Sequence, residues 1–327
     1  MNLLTFSPGN ICHTYKLTSA DRTMLIMPLF HVHGLLASFM SPLYSGGSAI
    51  VPQSLKPDFW QVFEKHQATW VSATPSMHRV ILEFTPPSAE ALKRIRFIRS
   101  CSSQLSPAMF DKLEKTFGVP VLESYAMTEA SHLMCSNPLP PAKRFAGSVG
   151  QAQGIDLAIL DEAGNAVAQG NEGEVCVRGQ NVTKGYLNNP EANKSSFTAD
   201  GFFRTGDQGK VDKEGYLTLT GRLKEMINKG GEKISPAELD NLISQHESIA
   251  ESVAFAIDDE AYGQDVGVAV KLADGKSLDA QELKTWVSGK VSKFKVPKNV
   301  WFPEEIPKTA TGKVQRRLVA EAMARSS

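Results

Sequence analysis

Thr128 and Glu129, in the run Glu123-Ser124-Tyr125-Ala126-Met127-Thr128-Glu129-Ala130, set a hydroxyl beside a carboxylate. The hydroxyl suits a phosphate, and the carboxylate is the hard oxygen ligand that Mg²⁺ prefers. Tyr125 offers a face on which a flat ring can stack, although Thr128-Glu129 reads equally as a capped helix start. Upstream, Ser100-Cys101-Ser102-Ser103 supplies small residues and backbone amides that can cradle such a ring. Phe203-Arg204-Thr205-Gly206-Asp207, with Arg222 across a hairpin, offers an Asp in a glycine turn, suited to two ribose hydroxyls. A plain Gly-Asp surface turn is the other reading. Pro307-Lys308-Thr309-Ala310-Thr311-Gly312-Lys313 resembles a Gly-Lys-Thr phosphate loop only superficially, because the glycine spacing and strand-helix context are missing. In Phe30-His31-Val32-His33-Gly34 no third ligand accompanies the two histidines, so one is expected to cap a helix and the other to face a pocket.

These residues need a scaffold, and the pattern of short apolar runs supplies one. Thr23–Leu29, Ser48–Pro52, Trp70–Ala73, Phe97–Ser100 and Val119–Leu122 read as strands. They alternate with helical stretches at Leu35–Leu43, Phe59–His66 and Ala108–Phe117. That alternation indicates an α/β fold, a mainly parallel sheet with both faces covered. Ligands of such sheets sit outside the carboxyl ends of the strands, where the serines, Tyr125 and Glu129 fall. From about Gly147 the pattern becomes strands separated by Gly- and Asn-rich turns, a β subdomain. After it comes a small C-terminal α+β domain of about 100 residues.

Gly221-Arg222-Leu223-Lys224-Glu225-Met226-Ile227-Asn228-Lys229-Gly230-Gly231 joins the parts. It follows the strand Tyr216–Thr220 and leads to Ser235-Pro236, an N-cap and a first-turn proline. It reads as a charged connection whose glycine pair lets the backbone turn or approach a ligand, or as a plain basic hairpin loop.

Composition excludes several function classes. Lys plus Arg equals Asp plus Glu at 35 each, so no global charge points to nucleic acid or an anionic membrane. With 42% apolar and 21% charged residues in 327, the chain is ordinary for a soluble globular protein. No apolar run approaches the ~20 residues of a bilayer span. Cys12, Cys101, Cys135 and Cys176 show neither metal-ligand spacing nor a disulfide framework. Met1–Phe6 lacks a secretory pattern and Ala324–Ser327 is not a Ser-Lys-Leu address, so a cytoplasmic location is expected over a peroxisomal one.

Tyr125–Glu129, Gly206-Asp207, Gly221–Glu225 and Pro307–Lys313 together resemble, in the same order, the adenylate-forming acyl-CoA synthetases. Met27–Gly34, Ser124–Ala130 and Ile227–Pro236 are similar to the oxalate–CoA ligase branch of plants and fungi. The resemblance implies residues 1–221 as an N-terminal adenylate-forming domain, 222–225 as a hinge and 226–327 as a mobile domain. It implies ATP, Mg²⁺ and CoA as reactants and a small carboxylate as substrate. Tyr125 would stack on adenine beside Ser102, Ser103 and Glu123; Thr128 would contact phosphate and Glu129 would hold Mg²⁺. Asp207 and Arg222 would bind ribose, and Lys313 would meet the α-phosphate and carboxylate. Lys224 would be the hinge, with rotation bringing Gly230 and Gly231 to the CoA channel. His33, Ser102 and His132 would bind a second carboxylate, which makes oxalate the expected substrate. The family's glycine-, serine- and threonine-rich phosphate loop is absent; Ser45-Gly46-Gly47-Ser48 is too short and lacks the lysine. An N-terminally truncated ligase with exposed apolar faces is therefore expected. A carrier-protein-loading enzyme and an inactive nucleotide-binding remnant are the alternatives.

Overall fold

A computed structural model describes residues 6–309 and 313–325. β1 (Arg22–Met24), β2 (Ser48–Ile50), β3 (Trp70–Ala73), β4 (Phe97–Ser100) and β5 (Val121–Tyr125) pair in parallel. β6 (Cys135–Ser136) and β7 (Gln151–Ala152) extend them antiparallel, giving the order β2-β1-β3-β4-β5-β6-β7. Every residue of β3, β4 and β5 is buried. Alternation along these strands fills two cores. Val71, Ile98 and Val121 join Trp60, Phe63 and Phe117, whereas Trp70, Phe97 and Leu122 join Ile11 and Tyr15. Each such aromatic or aliphatic side chain contributes about 1.5–3 kcal/mol by leaving water.

Three helices that flank the sheet or follow it start alike. Thr74, Ser106 and Ser235 each accept a hydrogen bond from the third following amide, and a proline occupies the first turn. The hydroxyl satisfies an orphan N–H while the proline lacks one to satisfy. The strand expected over Thr23–Leu29 ends at Met24, and the helix expected from Leu35 begins at His33. It runs as a π-helix over His33–Met40 and as an α-helix over Ser41–Tyr44. Gly34 permits this entry, since a Cβ there would lie 2.1 Å from the Pro28 carbonyl oxygen. Nearby, Phe30 is 80% exposed and Val51, beyond the edge strand β2, is 61% exposed.

β8 (Asp156–Leu160), β9 (Gly173–Arg178), β10 (Phe203–Val211) and β11 (Leu217–Arg222) make a second sheet in the order β11-β10-β9-β8. β12 (Ile227–Lys229), β13 (Glu232–Ile234), β14 (Ile249–Asp259), β15 (Gly263–Leu272) and β16 (Asn299–Trp301) make a third. The connection expected at 221–236 is thus a β12–β13 hairpin turned by Gly230 and Gly231, whose φ values are 59° and 98°. Ile227, Ile234, Leu239, Val268 and Leu283 fill the core beneath it. The chain divides into two compact units, 1–205 with 209–219 and 206–208 with 220–327. Among the described residues, no helix is long and apolar enough to cross a membrane.

Candidate active site

In the first unit, β3, β4 and β5 end on one edge of the sheet, and the polar residues after them gather there. His33, Ser102 and His132 are brought together. His33 Nδ1 lies 2.9 Å from Ser102 Oγ, and the His33 and His132 rings stack with centroids 5.3 Å apart. Both histidines are buried, at 0% and 1% exposure. His31 has a smaller part than a helix cap, its Nδ1 accepting from the His33 amide at 3.2 Å. The backbone is held out of its common conformations at the same place. Ser102 has φ 75°, and Ser131, His132 and Leu133 have 51°, 64° and 45°. Non-glycine residues in this region cost about 1 kcal/mol each or more, and such strain concentrates at ligand sites.

Behind this trio lies a residue that sequence reasoning passed over. Arg99 on β4 is fully buried, and its guanidinium reaches Tyr15, Ser72, His33 and His132. Burial first, and the Arg99 charge second, push both imidazoles well below the usual histidine range. They are neutral groups at neutral pH. The signal was available: an arginine inside a strand covered on both faces cannot reach water.

The nucleotide-type residues have different surroundings. Ser103 is exposed, whereas Glu123 is 1% exposed, with Oε1 accepting from the Leu105 amide at 2.8 Å and Oε2 without a hydrogen-bond partner among the described residues. Burial pushes its carboxyl up to about 8, so it is a neutral acid rather than an anionic pocket wall. Tyr125 is 7% exposed, in an apolar cluster with Met134, Val175 and Val177. Thr128 opens a short 3₁₀ turn, Thr128–Ala130, without a side-chain cap, and is exposed. Glu129 accepts from the Tyr186 hydroxyl at 2.9 Å, and its carbonyl accepts from the Thr183 amide. Among the described residues no group of three His, Cys, Asp or Glu could hold a metal. A lone carboxylate still fits Mg²⁺, which commonly takes one or two carboxylates and completes its shell with phosphate and water.

In the second unit, Asp207 lies within strand β10 rather than in a turn, with Gly206 before it at φ 72°. Arg222, at the end of β11, donates from Nε to Asp207 Oδ1 at 2.6 Å. Lys224 is exposed in the 3₁₀ turn Leu223–Glu225, between β11 and β12. Its neighbour Glu225 accepts from Arg316, which also pairs with Asp240 at 2.6 Å. At the hairpin, the Gly231 amide donates to Asn228 Oδ1 and the Gly230 amide to the Tyr262 carbonyl. Lys229 is held by Asp265 at 2.6 Å. Lys313 is exposed and its amide donates to Thr309 Oγ1 at 3.1 Å; Ala310, Thr311 and Gly312 of the same motif lie outside the described residues.

Comparison with known proteins bears on both units. The chain is 52% identical to an oxalate–CoA ligase of Saccharomyces cerevisiae and 48% identical to one of Arabidopsis thaliana. Each alignment covers 97% of this chain, and the chain spans 59% and 63% of those two relatives. Among solved structures, ATP-bound MatB from Rhodopseudomonas palustris superposes with a TM-score of 0.92 at 30% identity, covering 98% of this chain and 64% of that one. Residues 2–187 match the AMP-binding enzyme family and residues 238–313 match the AMP-binding enzyme C-terminal domain. With more than half its length inside the first match, and an α/β architecture to go with it, the chain belongs to the AMP-binding enzyme family.

Proposed function

We propose that this chain carries the machinery of an ATP-dependent carboxylate–CoA ligase that acts through an acyl-adenylate, with oxalate as its carboxylate. The observation that carries the substrate is the buried trio His33, Ser102 and His132. A fatty-acid site calls for apolar lining, whereas two imidazoles and a hydroxyl supply donors for a second carboxylate. The oxalate–CoA ligases of yeast and Arabidopsis among the relatives support this choice.

The reaction has two displacements. A substrate carboxylate oxygen attacks the α-phosphorus of ATP, and the bond to the β-phosphate oxygen breaks to release pyrophosphate. The CoA thiolate then attacks the acyl carbon, and the carbon–oxygen bond to AMP breaks. Lys313 places positive charge where the first step concentrates negative charge. Thr128 donates its hydroxyl to phosphate, and Tyr125 offers its ring to adenine beside Ser102, Ser103 and Glu123. Asp207 accepts from the ribose hydroxyls and Arg222 holds that carboxylate in place. Glu129 would hold Mg²⁺, which neutralises phosphate charge when bound. Lys224 is the proposed pivot, with Gly230 and Gly231 serving the second step through their backbone.

The test compares pyrophosphate release and thioester formation with oxalate, malonate, acetate and octanoate. Oxalate should give the highest kcat/KM, and a preference for octanoate would overturn the reading. Lys313→Ala should slow adenylation by about 10²–10³, roughly 3–4 kcal/mol. Thioester formation from supplied oxalyl-adenylate should stay near its original rate. Equal losses in both steps would rule out a role confined to adenylation.

A further inference from the structure

Arg99 is fully buried, yet among the described residues no carboxylate pairs with it. Its partners are neutral. Nε donates to the Tyr15 hydroxyl at 2.7 Å, and the guanidinium lies 5.5 Å from that ring's centroid. Nη1 donates to Ser72 Oγ at 2.9 Å and lies 3.3 Å from His33 Nε2. Nη2 donates to His132 Nε2 at 2.9 Å. A guanidinium has donors and no acceptor, and it stays charged, so each facing atom must accept.

The surrounding hydroxyls agree with that direction. Having accepted from Arg99, the Tyr15 hydroxyl donates to Ser136 Oγ at 2.9 Å, and Ser136 donates to the Asn137 carbonyl. Ser72 accepts from Arg99, which leaves its own proton for His33 Nε2 at 2.6 Å. Nε2 of both histidines is therefore an acceptor. A neutral imidazole carries one proton, so it must sit on Nδ1 in both rings. His33 Nδ1–H then donates to Ser102 Oγ at 2.9 Å, which leaves the Ser102 hydroxyl proton to point onward. The hydrogen bond that holds the His132 ring is the one from Arg99 to Nε2, which leaves the Nδ1 proton for a ligand.

We infer that Arg99 is a positioning residue that locks His33 and His132 in the Nδ1–H tautomer, so that Ser102 and His132 are obligatory donors toward a doubly charged carboxylate. The inference rests on the oxalate reading for its ligand, but not for its tautomers. Arg99 also supplies the net positive charge that two neutral imidazoles lack. An acceptor-presenting tautomer would repel a carboxylate, so the lock excludes the arrangement that a free imidazole is otherwise able to adopt.

¹⁵N-histidine NMR on the full chain tests it, with His33→Asn and His132→Asn used to assign the signals. At pH 7 both residues should show a protonated Nδ1 and an unprotonated Nε2. Oxalate added alone should shift the His132 Nδ1–H signal more than acetate does. Arg99→Met should give mixed tautomers and weaken oxalate binding by tenfold or more. Arg99→Lys, which keeps the charge but not the fork, should leave at most one of the two rings locked. The wild-type spectrum decides even where Arg99→Met fails to fold: a protonated Nε2 on either histidine overturns the lock. Locked tautomers together with no oxalate response would support the lock and discard the oxalate reading.

Discussion

Arg99 and Arg222 sit at the polar ends of their strands under opposite conditions. Arg99 is buried against imidazole, phenol and serine, with no carboxylate partner among the described residues. Arg222 keeps 48% of its side chain exposed and faces Asp207 at 2.6 Å. Other cations of its unit also face carboxylates but are more buried: Lys229, 15% exposed, meets Asp265, and Arg316, 20% exposed, meets Glu225 and Asp240. A half-exposed pair is screened by water, gains little, and is easily exchanged for another partner. A buried cation among neutral acceptors is costly to disturb, and attracts whichever anion can reach its neighbours. The buried arrangement suits recognition by a fixed frame; the half-exposed pair is the one that can exchange partners. The pH dependence of stability should therefore show at the network around Arg99, and the salt dependence at the Arg222–Asp207 pair.

The largest expected effect is acid destabilisation of the first unit. His33, His78 and His132 are all pushed down by burial, His78 to about 4. The unfolded chain takes up protons on them below about pH 6.5 while the folded chain does not, so stability falls as pH falls. Glu123 works against them. Its carboxyl, raised to about 8, keeps its proton in the fold while the unfolded chain has already ionised above about 4.5. Three histidines less one carboxyl leave a slope of at most about 2.5 kcal/mol per pH unit between pH 6 and 5. Urea unfolding followed by the fluorescence of buried Trp60 and Trp70 measures it. A slope under about 1 kcal/mol per unit would mean that these imidazoles are not buried as neutral groups.

Glu123→Gln should sharpen the same comparison with the opposite sign. Gln keeps the acceptor for the Leu105 amide and removes the group that ionises on unfolding. At pH 7 the variant should be more stable by up to roughly 3 kcal/mol, and its acid limb should steepen by about 1.4 kcal/mol per unit. Near pH 4.5 the two proteins should converge. A constant difference at all pH values would show that packing, not ionisation, separates them.

The architecture was readable because buried parallel strands leave a plain trace: Trp70–Ala73, Phe97–Ser100 and Val119–Leu122 are short, mainly apolar runs, the last of which the structure moves on to Val121–Tyr125. The Ser-Pro start at Ser235-Pro236 was equally plain. The β12–β13 hairpin was legible only as one of two readings, because Asn228, Lys229, Glu232 and Lys233 are polar and its strands lack apolar alternation. The glycine pair between them was its only mark. His33, Ser102 and His132 could be nominated from their places after strands. Their grouping depends on left-handed backbone at Ser102 and at Ser131–Leu133, which no residue type there announces. Arg99 was missed for a simpler reason: a charge in a strand suggests a solvent face, and β4 has none.

The smallest expected effect tests the other side of the comparison. Arg222→Ala removes the half-exposed partner of a carboxylate that is itself only 6% exposed. Were Asp207 to depend on Arg222 as a buried ion depends on its mate, the loss would be about 3–5 kcal/mol. The exposure of Arg222 argues for the lower range, about 1 kcal/mol or less, because water already shares the charge. What remains should shrink as salt rises, since exposed charges are screened within about 10 Å at 0.1 M. Unfolding of the second unit, followed through Trp286 and Trp301, should show that loss at low salt and less of it at 0.5 M. AMP binding separates stability from recognition: Arg222→Ala should weaken it more than Arg222→Lys, which keeps a cation beside Asp207. A salt-independent loss above about 3 kcal/mol would place Asp207–Arg222 with the buried network around Arg99, and the contrast between the two arginines would fail.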